Sequence, residues 1–196
     1  MTTVAAIQGK GWAAIACDSR ATEGTRPYTL PREVCKIVKN GPYLIGVTGE
    51  LVHIPLIEYS FSPTAPQIDL TVKELDRFIT QTFIPEFRDF IKETSLNLKE
   101  DEDVIIPSIL VLVNGIIYNI DSTLTWLRDP SGIYVEGSGQ PWAHGSLLSS
   151  TSGSVSNISI VTAKKILSDA ISNAVKMDLQ TGPPIHMMVQ TSKMKK

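Results

Sequence analysis

The apolar residues in the first third of the chain fall into short runs separated by turn residues. Such runs are typical of β-hairpins, and they predict two strand pairs, 2–8 with 12–18 and 34–39 with 42–48. A third pair, 109–113 with 116–120, flanks Asn114-Gly115, a dipeptide in which both residues accept the positive φ of a tight turn. Shorter apolar runs predict further strands at 124–127, 132–137 and 185–189.

Two segments have the spacing of an amphipathic helix instead. Large apolar residues recur about once per turn over residues 75–90, although Pro85 should kink or split a helix there. The second pattern, over residues 158–177, places its apolar residues on one face. Residues 98–104 are polar and acidic and residues 145–157 are rich in serine and glycine, so we expect both to be surface loops.

The order of these elements is strands, helix, strands, helix, strand. Strands that cluster in hairpins, with few helices between them, favour antiparallel sheets and an α+β fold. We therefore expect two sheets packed face to face with helices outside. The 196 residues suit one domain with a sizeable core, and residues 1–196 contain neither an internal repeat nor a second domain.

Composition and charge exclude several classes of function. The formal net charge of -2 and the pI of about 5.9 do not favour binding to nucleic acid or to an anionic membrane. No apolar run reaches the roughly 18 residues that span a bilayer, and the first residues lack the basic start of a signal peptide. We therefore expect a cytoplasmic protein that binds neither nucleic acid nor a membrane.

Neither the cysteines nor the histidines form a ligand pattern. Cys17 and Cys35 lie in apolar, strand-like runs, where a buried free thiol is the expected state. His53, His144 and His186 lack the spacing of metal ligands, and the sequence nominates none of them as the base of a serine nucleophile. We expect no metal site.

Thr2 combines two reactive groups once Met1 is removed, which we expect because threonine is small. It would then carry a hydroxyl and a free α-amine, whose ordinary pKa of about 7.7–8 leaves part of it neutral near pH 7. A neutral amine can accept the hydroxyl proton, directly or through a water, and so activate the oxygen without histidine. The alternative is that Thr2 simply begins a strand.

Lys36 and Asp18 are candidates for tuning that amine. Successive side chains of a strand point to opposite faces, so the sequence around Lys36 places it in the middle of a strand with apolar residues on both faces. A lysine buried in this way needs a partner. Its ammonium would lower the pKa of a nearby Thr2 amine, and Asp18 could hold the ammonium charged and oriented. An edge-strand lysine and an aspartate in a turn are the alternatives.

Two later segments could complete a site. Ser138 lies between Gly137 and Gly139 after an apolar run, so its hydroxyl could approach another backbone closely. An ordinary turn is the alternative. Residues 178–182, Asp-Leu-Gln-Thr-Gly, follow the second helical pattern, where a helix end capped by Gly182 is the alternative.

Taken together, these residues resemble a known family. The resemblance rests on Thr2-Thr3-Val4, residues 14–22, Val34-Cys35-Lys36-Ile37, residues 42–46, Val113-Asn114-Gly115, Gly137-Ser138-Gly139 and residues 178–182. In this order they are similar to proteasome β-subunits and to the bacterial HslV peptidase, which are N-terminal nucleophile hydrolases. The resemblance covers nearly the whole chain and is most specific in its first quarter.

The resemblance implies a four-layer αββα sandwich and a threonine endopeptidase. It implies that Thr2 Oγ is the nucleophile and that the Thr2 amine is the base. The other residues that match the family's site are Asp18, which would pair with Lys36, then Ser138, Asp178 and Thr181, the last usually a serine, and a structural arginine, Arg20.

The same resemblance places the substrate and the oxyanion. The residues that would line the substrate site are Ala21, Thr22, Val34, Thr48 and Val52. The family's Ala-Gly-Gly turn, which supplies a backbone N–H to the oxyanion, is replaced here by residues 47–50, Val-Thr-Gly-Glu. Gly49 is the expected donor and Glu50 is the alternative.

The family also implies partners. These are further copies of the chain in stacked rings, an ATP-driven unfoldase, and unfolded protein or peptide substrates, while the peptidase itself needs no cofactor. Only Met1 precedes Thr2, which is closer to HslV than to most proteasome β-subunits, and the extra N-terminal helix of the family's non-catalytic α-subunits is lacking. Residues 140–157 become serine-rich where the family usually forms a helix.

Two other functions stay open. A non-catalytic ring subunit would keep the fold but lack a free Thr2 amine, which N-terminal sequencing would reveal. An N-terminal nucleophile amidase acting on small molecules would be active without ring assembly. Size-exclusion chromatography with an activity assay on each fraction would detect it.

Overall fold

A computed structural model of the chain describes residues 2–96, 105–155 and 157–192. Its strands are β1 (Thr3–Gly9), β2 (Trp12–Cys17), β3 (Arg20–Glu23), β4 (Arg26–Thr29), β5 (Ile37–Asn40), β6 (Tyr43–Val47), β7 (Ile109–Val113), β8 (Ile116–Ile120), β9 (Trp126–Leu127), β10 (Ile133–Gly137) and β11 (His186–Thr191). Its helices are α1 (His53–Tyr59), α2 (Val72–Phe78), α3 (Ile84–Leu96), α4 (Gln140–Thr151) and α5 (Ile160–Met177). The loop predicted at 98–104 lies outside the described residues.

Two antiparallel sheets form the centre of the molecule. The first has the strand order β10-β1-β2-β11 and the second has the order β5-β6-β7-β8-β9. The three predicted hairpins are present, and Asn114 and Gly115 adopt φ values of 51° and 75° in the turn between β7 and β8. A separate hairpin, β3–β4, was not predicted, because every residue of β4 is exposed and the segment has no apolar alternation.

Side-chain packing places helices on the outer face of each sheet. Ile7 of β1 belongs to one cluster with Leu167 of α5, and Ile45 of β6 belongs to another with Phe83, between α2 and α3. A third cluster lies between the sheets and includes Val4, Ala6, Ile15, Leu110 and Leu112. The protein is therefore a four-layer αββα sandwich, which confirms the predicted fold class.

The helical pattern of residues 75–90 is divided at the predicted place. A π-helical segment, Ile79–Phe83, separates α2 from α3, and Pro85 follows in the first turn of α3. Proline has no N–H to donate within a helix, and a wider π turn accommodates such an interruption. Phe83 and Phe87 stay fully buried on either side of it.

The prediction of a loop over residues 145–157 was wrong for residues 145–151, because α4 occupies residues 140–151, whereas residues 152–155 and 157 belong to no helix or strand. Its buried residues, Ala143, Leu147 and Thr151, are four positions apart, so one helical face reaches the core. Serine and glycine on the other face concealed this periodicity. From the serine-rich sequence we also expected residues 140–157 to differ from the family, which usually forms a helix there. That expectation is wrong, because α4 is such a helix.

Helix α1 was also not predicted. It is only seven residues long and contains Pro55, so its periodicity is too short to recognise in the sequence. None of the described helices is both long and apolar enough to cross a bilayer.

Candidate active site

The carboxylate of Asp18, which follows β2, is the centre of a first hydrogen-bond network. Its Oδ1 accepts from the Lys36 ammonium at 2.7 Å and from the Thr3 N–H at 2.9 Å. Its Oδ2 accepts from the N–H groups of Arg20 at 2.9 Å and Gly182 at 3.0 Å. These donors satisfy a carboxylate that is fully buried.

Lys36 is also fully buried, and the ion pair expected with Asp18 is present. The ammonium donates a second hydrogen bond to the carbonyl of Arg20 at 2.6 Å. Its predicted position inside a strand is wrong, because β5 begins at Ile37 and Lys36 lies at a bend just before it. The apolar run in the sequence begins at Val34. The backbone pairing with β6 begins only at Ile37, which lies opposite Gly46.

A second network is centred on Asp178, which directly follows α5. Its Oδ2 accepts hydrogen bonds from Ser138 Oγ at 2.7 Å and from Thr181 Oγ1 at 2.6 Å. Burial alone would raise the pKa of Asp178, but hydrogen bonds from Ser138, Thr181 and the Gln180 N–H outweigh it and hold that pKa below its ordinary value. The carboxylate is therefore an acceptor at neutral pH.

Thr3 joins the two networks, a role that the sequence did not reveal. Its N–H donates to Asp18, and its hydroxyl oxygen lies 2.5 Å from Thr181 Oγ1. Since the only hydroxyl proton of Thr181 goes to Asp178, Thr3 is the donor in this contact. No side-chain pattern reports the use of a backbone N–H, which is why this connection could not be predicted.

Thr2 lies at the junction and is only 2% exposed. Its carbonyl accepts a hydrogen bond from the Ser138 N–H at 2.9 Å, while the N–H of the same peptide bond belongs to Thr3. Both polar groups of the Thr2–Thr3 peptide bond are thus fixed by the protein. The structure therefore brings together Thr2, Asp18, Lys36, Ser138, Asp178 and Thr181, which the sequence nominated from separate segments.

Two glycines allow Ser138 to approach this peptide bond. Gly137 has a φ of +96°, and a Cβ added there would lie 1.9 Å from the Thr2 carbonyl oxygen. A Cβ added at Gly139 would lie 2.1 Å from Thr3 Oγ1. Real Cβ atoms do not reach such distances, so the strand end at Gly137 requires glycine both for its backbone conformation and for the close contact.

We expect Gly137→Ala to lower the free energy of unfolding by at least about 2 kcal/mol, because it adds both strain and a clash with backbone. Gly145→Ala is the matched control. It lies inside α4, no atom lies within 4 Å of its added Cβ, and alanine favours a helix. Thermal unfolding followed by circular dichroism compares them, and equal melting temperatures would contradict the proposed constraint.

Comparison with known proteins gives a clear result at the level of structure. A scan against protein-family models finds no match, and a sequence search of curated proteins finds none. A structure of Thiobacillus denitrificans BPH in complex with Epoxomicin has a TM-score of 0.74 at 18% identity, over 97% of this chain and 98% of that chain. Another BPH structure has a TM-score of 0.66 at 19% identity, over 97% and 98% of the two chains.

HslV from Trypanosoma brucei matches with a TM-score of 0.67 at 18% identity, over 97% of this chain and 99% of that chain. The chain has the HslV fold. Identity this low establishes the architecture alone, since one fold can carry different activities. The fold that the sequence resemblance implied is confirmed, and the chemistry must be argued from the side chains.

Arg20 holds one edge of the site within this HslV fold. Its guanidinium donates to the carbonyl of Leu179 at 2.8 Å. A Cβ added at Gly182 would lie 2.5 Å from Arg20 Nε, so the guanidinium packs directly against that glycine. Arg20 thereby fixes residues 178–182 beside the start of β3, which suits the structural role expected for it.

The residues expected to bind substrate lie in four segments of the chain. They are Ala21 and Thr22 in β3, Val34 just before Lys36, Thr48 after β6, and Val52 just before α1. The Thr48 hydroxyl donates to the carbonyl of Ser108 at 2.8 Å. Gly49 has a φ of +94°, with open space where a side chain would lie. Their arrangement around a bound side chain stays a prediction.

A cavity of about 780 Å³ lies elsewhere on the protein. It is lined by the turn between β1 and β2 and by residues 126–134, and no residue of the two networks borders it. Within the described ranges, no group of His, Cys, Asp and Glu could hold a metal ion. The two networks are therefore the candidate site, because they bring Thr2 together with the buried charged residues Asp18, Lys36 and Asp178.

Proposed function

We propose that the protein is a threonine endopeptidase of the proteasome β-subunit and HslV type, with Thr2 as its nucleophile after removal of Met1. The observation that carries this proposal is the convergence of two buried hydrogen-bond networks on the Thr2–Thr3 peptide bond. The similarity in fold to HslV and to BPH, one structure of which is a complex with Epoxomicin, supports it.

In the proposed mechanism, the free Thr2 amine takes the proton of its own hydroxyl, directly or through a water. Oγ then attacks the carbonyl carbon of a peptide bond. The amine next gives its proton to the departing nitrogen, and a water hydrolyses the ester left on Oγ. The contacts of Asp18 and Ser138 with the Thr2–Thr3 peptide hold the amine and hydroxyl in a constant geometry.

Lys36 would set the protonation state of this amine. The Asp18 oxygen that binds the Lys36 ammonium also accepts the Thr3 N–H, so the ammonium lies one bridging oxygen away from the Thr2–Thr3 peptide bond. In this proposal the ammonium disfavours a second positive charge on the Thr2 amine and so lowers the pKa of that amine. The ion pair with Asp18 fixes the position of the ammonium.

Gly49 is the proposed donor to the oxyanion of the tetrahedral intermediate. No side chain crowds this residue, and a backbone N–H serves this purpose whatever the side chain. The N–H of Glu50 is the alternative. Apart from water, every catalytic group in this mechanism belongs to the chain itself, so the proposed reaction needs no cofactor.

We further propose that the chain assembles into homo-oligomeric stacked rings that enclose the sites and receive unfolded protein from an ATP-driven unfoldase. Met177 and Leu179, on either side of Asp178, are 61% and 88% exposed. In the proposed rings, a neighbouring subunit would cover these two exposed apolar side chains. In size-exclusion chromatography, peptidase activity should elute with the oligomer. The cytoplasmic location stays a prediction from the sequence.

Cleavage should follow apolar residues and be poor after Asp, Lys or Arg. Ala21, Val34 and Val52 are apolar, and an uncharged wall cannot offset the desolvation of a charged side chain. Burial of an apolar one is favourable by about 25 cal/mol per Å². The exposed carboxylate of Glu50 is the one nearby charge in residues 47–52 that could reverse this preference.

A panel of fluorogenic tripeptides that differ only in the residue before the cleaved bond measures the preference. Faster turnover after Leu than after Arg is the expected result. Equal or faster cleavage after Arg would show that Glu50 sets the preference, and Glu50→Gln, which removes only the charge, would then reverse it.

A further inference from the structure

Cys17 and Cys35, the only cysteines of the chain, meet between the two sheets. Cys17 ends β2 in the first sheet, and Cys35 lies two residues before β5 in the second. Their sulfur atoms are 3.8 Å apart although the residues are 18 positions apart in the sequence. The sequence indicated two unrelated buried thiols within strands, but the structure shows a pair, with Cys35 outside its strand.

The two thiols differ in access and in acidity. Cys17 is fully buried, and its hydrogen bond with Cys35, together with burial, raises its pKa well above the ordinary value. Cys35 is half-buried, and the hydrogen bond with Cys17 lowers its pKa to about 7 against the effect of burial. A hydrogen bond from the Ile37 N–H acts in the same direction. A large fraction of Cys35 is therefore thiolate at neutral pH.

We propose that Cys17 and Cys35 are a redox modification site, at which a hydroperoxide forms a reversible disulfide that switches off the neighbouring active site. An accessible thiolate with a second thiol beside it is the arrangement found in redox-sensing proteins. A disulfide of about 2.05 Å requires the sulfur atoms to approach by about 1.8 Å from their present 3.8 Å.

The reaction consumes one hydroperoxide for each disulfide. The Cys35 thiolate attacks the terminal oxygen and the O–O bond breaks. With hydrogen peroxide the other oxygen departs as hydroxide, which takes up the proton that Cys35 had released to solvent and becomes water. Cys35 is now a sulfenic acid. The Cys17 sulfur then attacks the Cys35 sulfur, the S–O bond breaks, and hydroxide leaves with the Cys17 proton as a second water. The two thiols have lost two electrons to the peroxide.

The bond would act on the buried ion pair, because Cys17 directly precedes Asp18 and Cys35 directly precedes Lys36. The ion pair is close, at 2.7 Å, so any backbone movement that draws Cys17 and Cys35 together would also displace Asp18 or Lys36. Misplacement of catalytic groups by about 1 Å can reduce a rate by about a hundred-fold. This effect on activity rests on the proposed peptidase function, whereas formation of the disulfide does not.

Intact mass spectrometry tests the disulfide. Reduced protein is treated with hydrogen peroxide, denatured, and then labelled with N-ethylmaleimide. We expect the treated protein to be lighter by two hydrogen atoms and to take up no label, and dithiothreitol to restore labelling of both cysteines. Only an intramolecular Cys17–Cys35 bond can give this result. Thiols that stay fully reactive at excess peroxide, or a disulfide between two molecules, would overturn the proposal.

Cys35→Ser is the matched variant, since its half-buried position tolerates a hydroxyl. It should form no disulfide, and its peptidase activity should survive peroxide, while that of the wild type falls about a hundred-fold and returns with dithiothreitol. Disulfide formation with unchanged wild-type activity would overturn the switch. If the reduced protein hydrolyses no peptide at all, the proposed function fails, and the mass measurement still decides whether the disulfide forms.

Discussion

Thr2→Ala is expected to reduce peptide hydrolysis by at least about a thousand-fold, the scale of loss when a catalytic nucleophile is removed, while the protein still folds and assembles. The substitution removes the proposed nucleophile but keeps the Thr2 carbonyl, which accepts the Ser138 N–H. It also leaves both carboxylate networks around Thr3 intact. A fluorogenic peptide measures activity, thermal unfolding measures stability, and size-exclusion chromatography measures assembly.

Two controls define this result. Thr2→Ser retains a hydroxyl and an amine on one residue, so it should hydrolyse the same peptide. Thr29→Ala changes an exposed threonine of β4 and should match the wild type in every assay. If Thr2→Ala keeps more than about a hundredth of the wild-type rate, a difference of about 2.7 kcal/mol in activation free energy, Thr2 is not the nucleophile.

Lys36→Ala should also eliminate activity, although no step of the proposed mechanism forms a bond to lysine. Without the ammonium, the Thr2 amine would be protonated more readily, so any residual activity should shift to higher pH. Lys36→Arg should not restore the rate, because a guanidinium is broader and planar. Lys39→Ala, which changes an exposed lysine of β5, is the matched control and should be fully active.

Loss of stability must be separated from loss of catalysis in this series. Removing one partner of a buried ion pair leaves the other charge uncompensated and costs about 3–5 kcal/mol. The double variant Lys36→Met with Asp18→Asn removes both charges, but its new amide NH2 must face backbone N–H groups that the carboxylate accepted. It should therefore regain only the part of the stability that the uncompensated charge costs in Lys36→Ala. It should stay inactive. Near-normal turnover of Lys36→Ala with an unchanged pH profile would contradict the electrostatic role of Lys36.

The fold could be predicted from the sequence where local periodicity reports the tertiary environment. The β7–β8 hairpin follows from Asn114-Gly115, and α5 follows from an apolar face that is buried as predicted. The hairpin β3–β4 could not be predicted, because its strands gain little burial and leave no apolar pattern. Helix α4 was missed since serines hide the spacing of its few buried residues.

The site shows a similar division between side chains and backbone. Lys36 and Asp18 could be nominated because a charged side chain within or at the end of an apolar run is visible in a sequence, whereas Asp178 was nominated through the family resemblance. The contributions of Thr3 and Gly182 pass through backbone N–H groups, which no residue pattern reveals. The meeting of Cys17 with Cys35 depends on how two sheets stack, so it also required the structure.

Trapping the nucleophile tests the central claim most directly. Purified protein is incubated with an electrophilic peptide that reacts with a threonine hydroxyl, and the adduct is located by intact mass and by sequencing of its peptides. We expect a single adduct on Thr2, in protein that has lost Met1, and none in Thr2→Ala. An adduct on any other residue, or hydrolysis of peptides by protein that retains Met1, would contradict the assignment of Thr2 as the catalytic nucleophile.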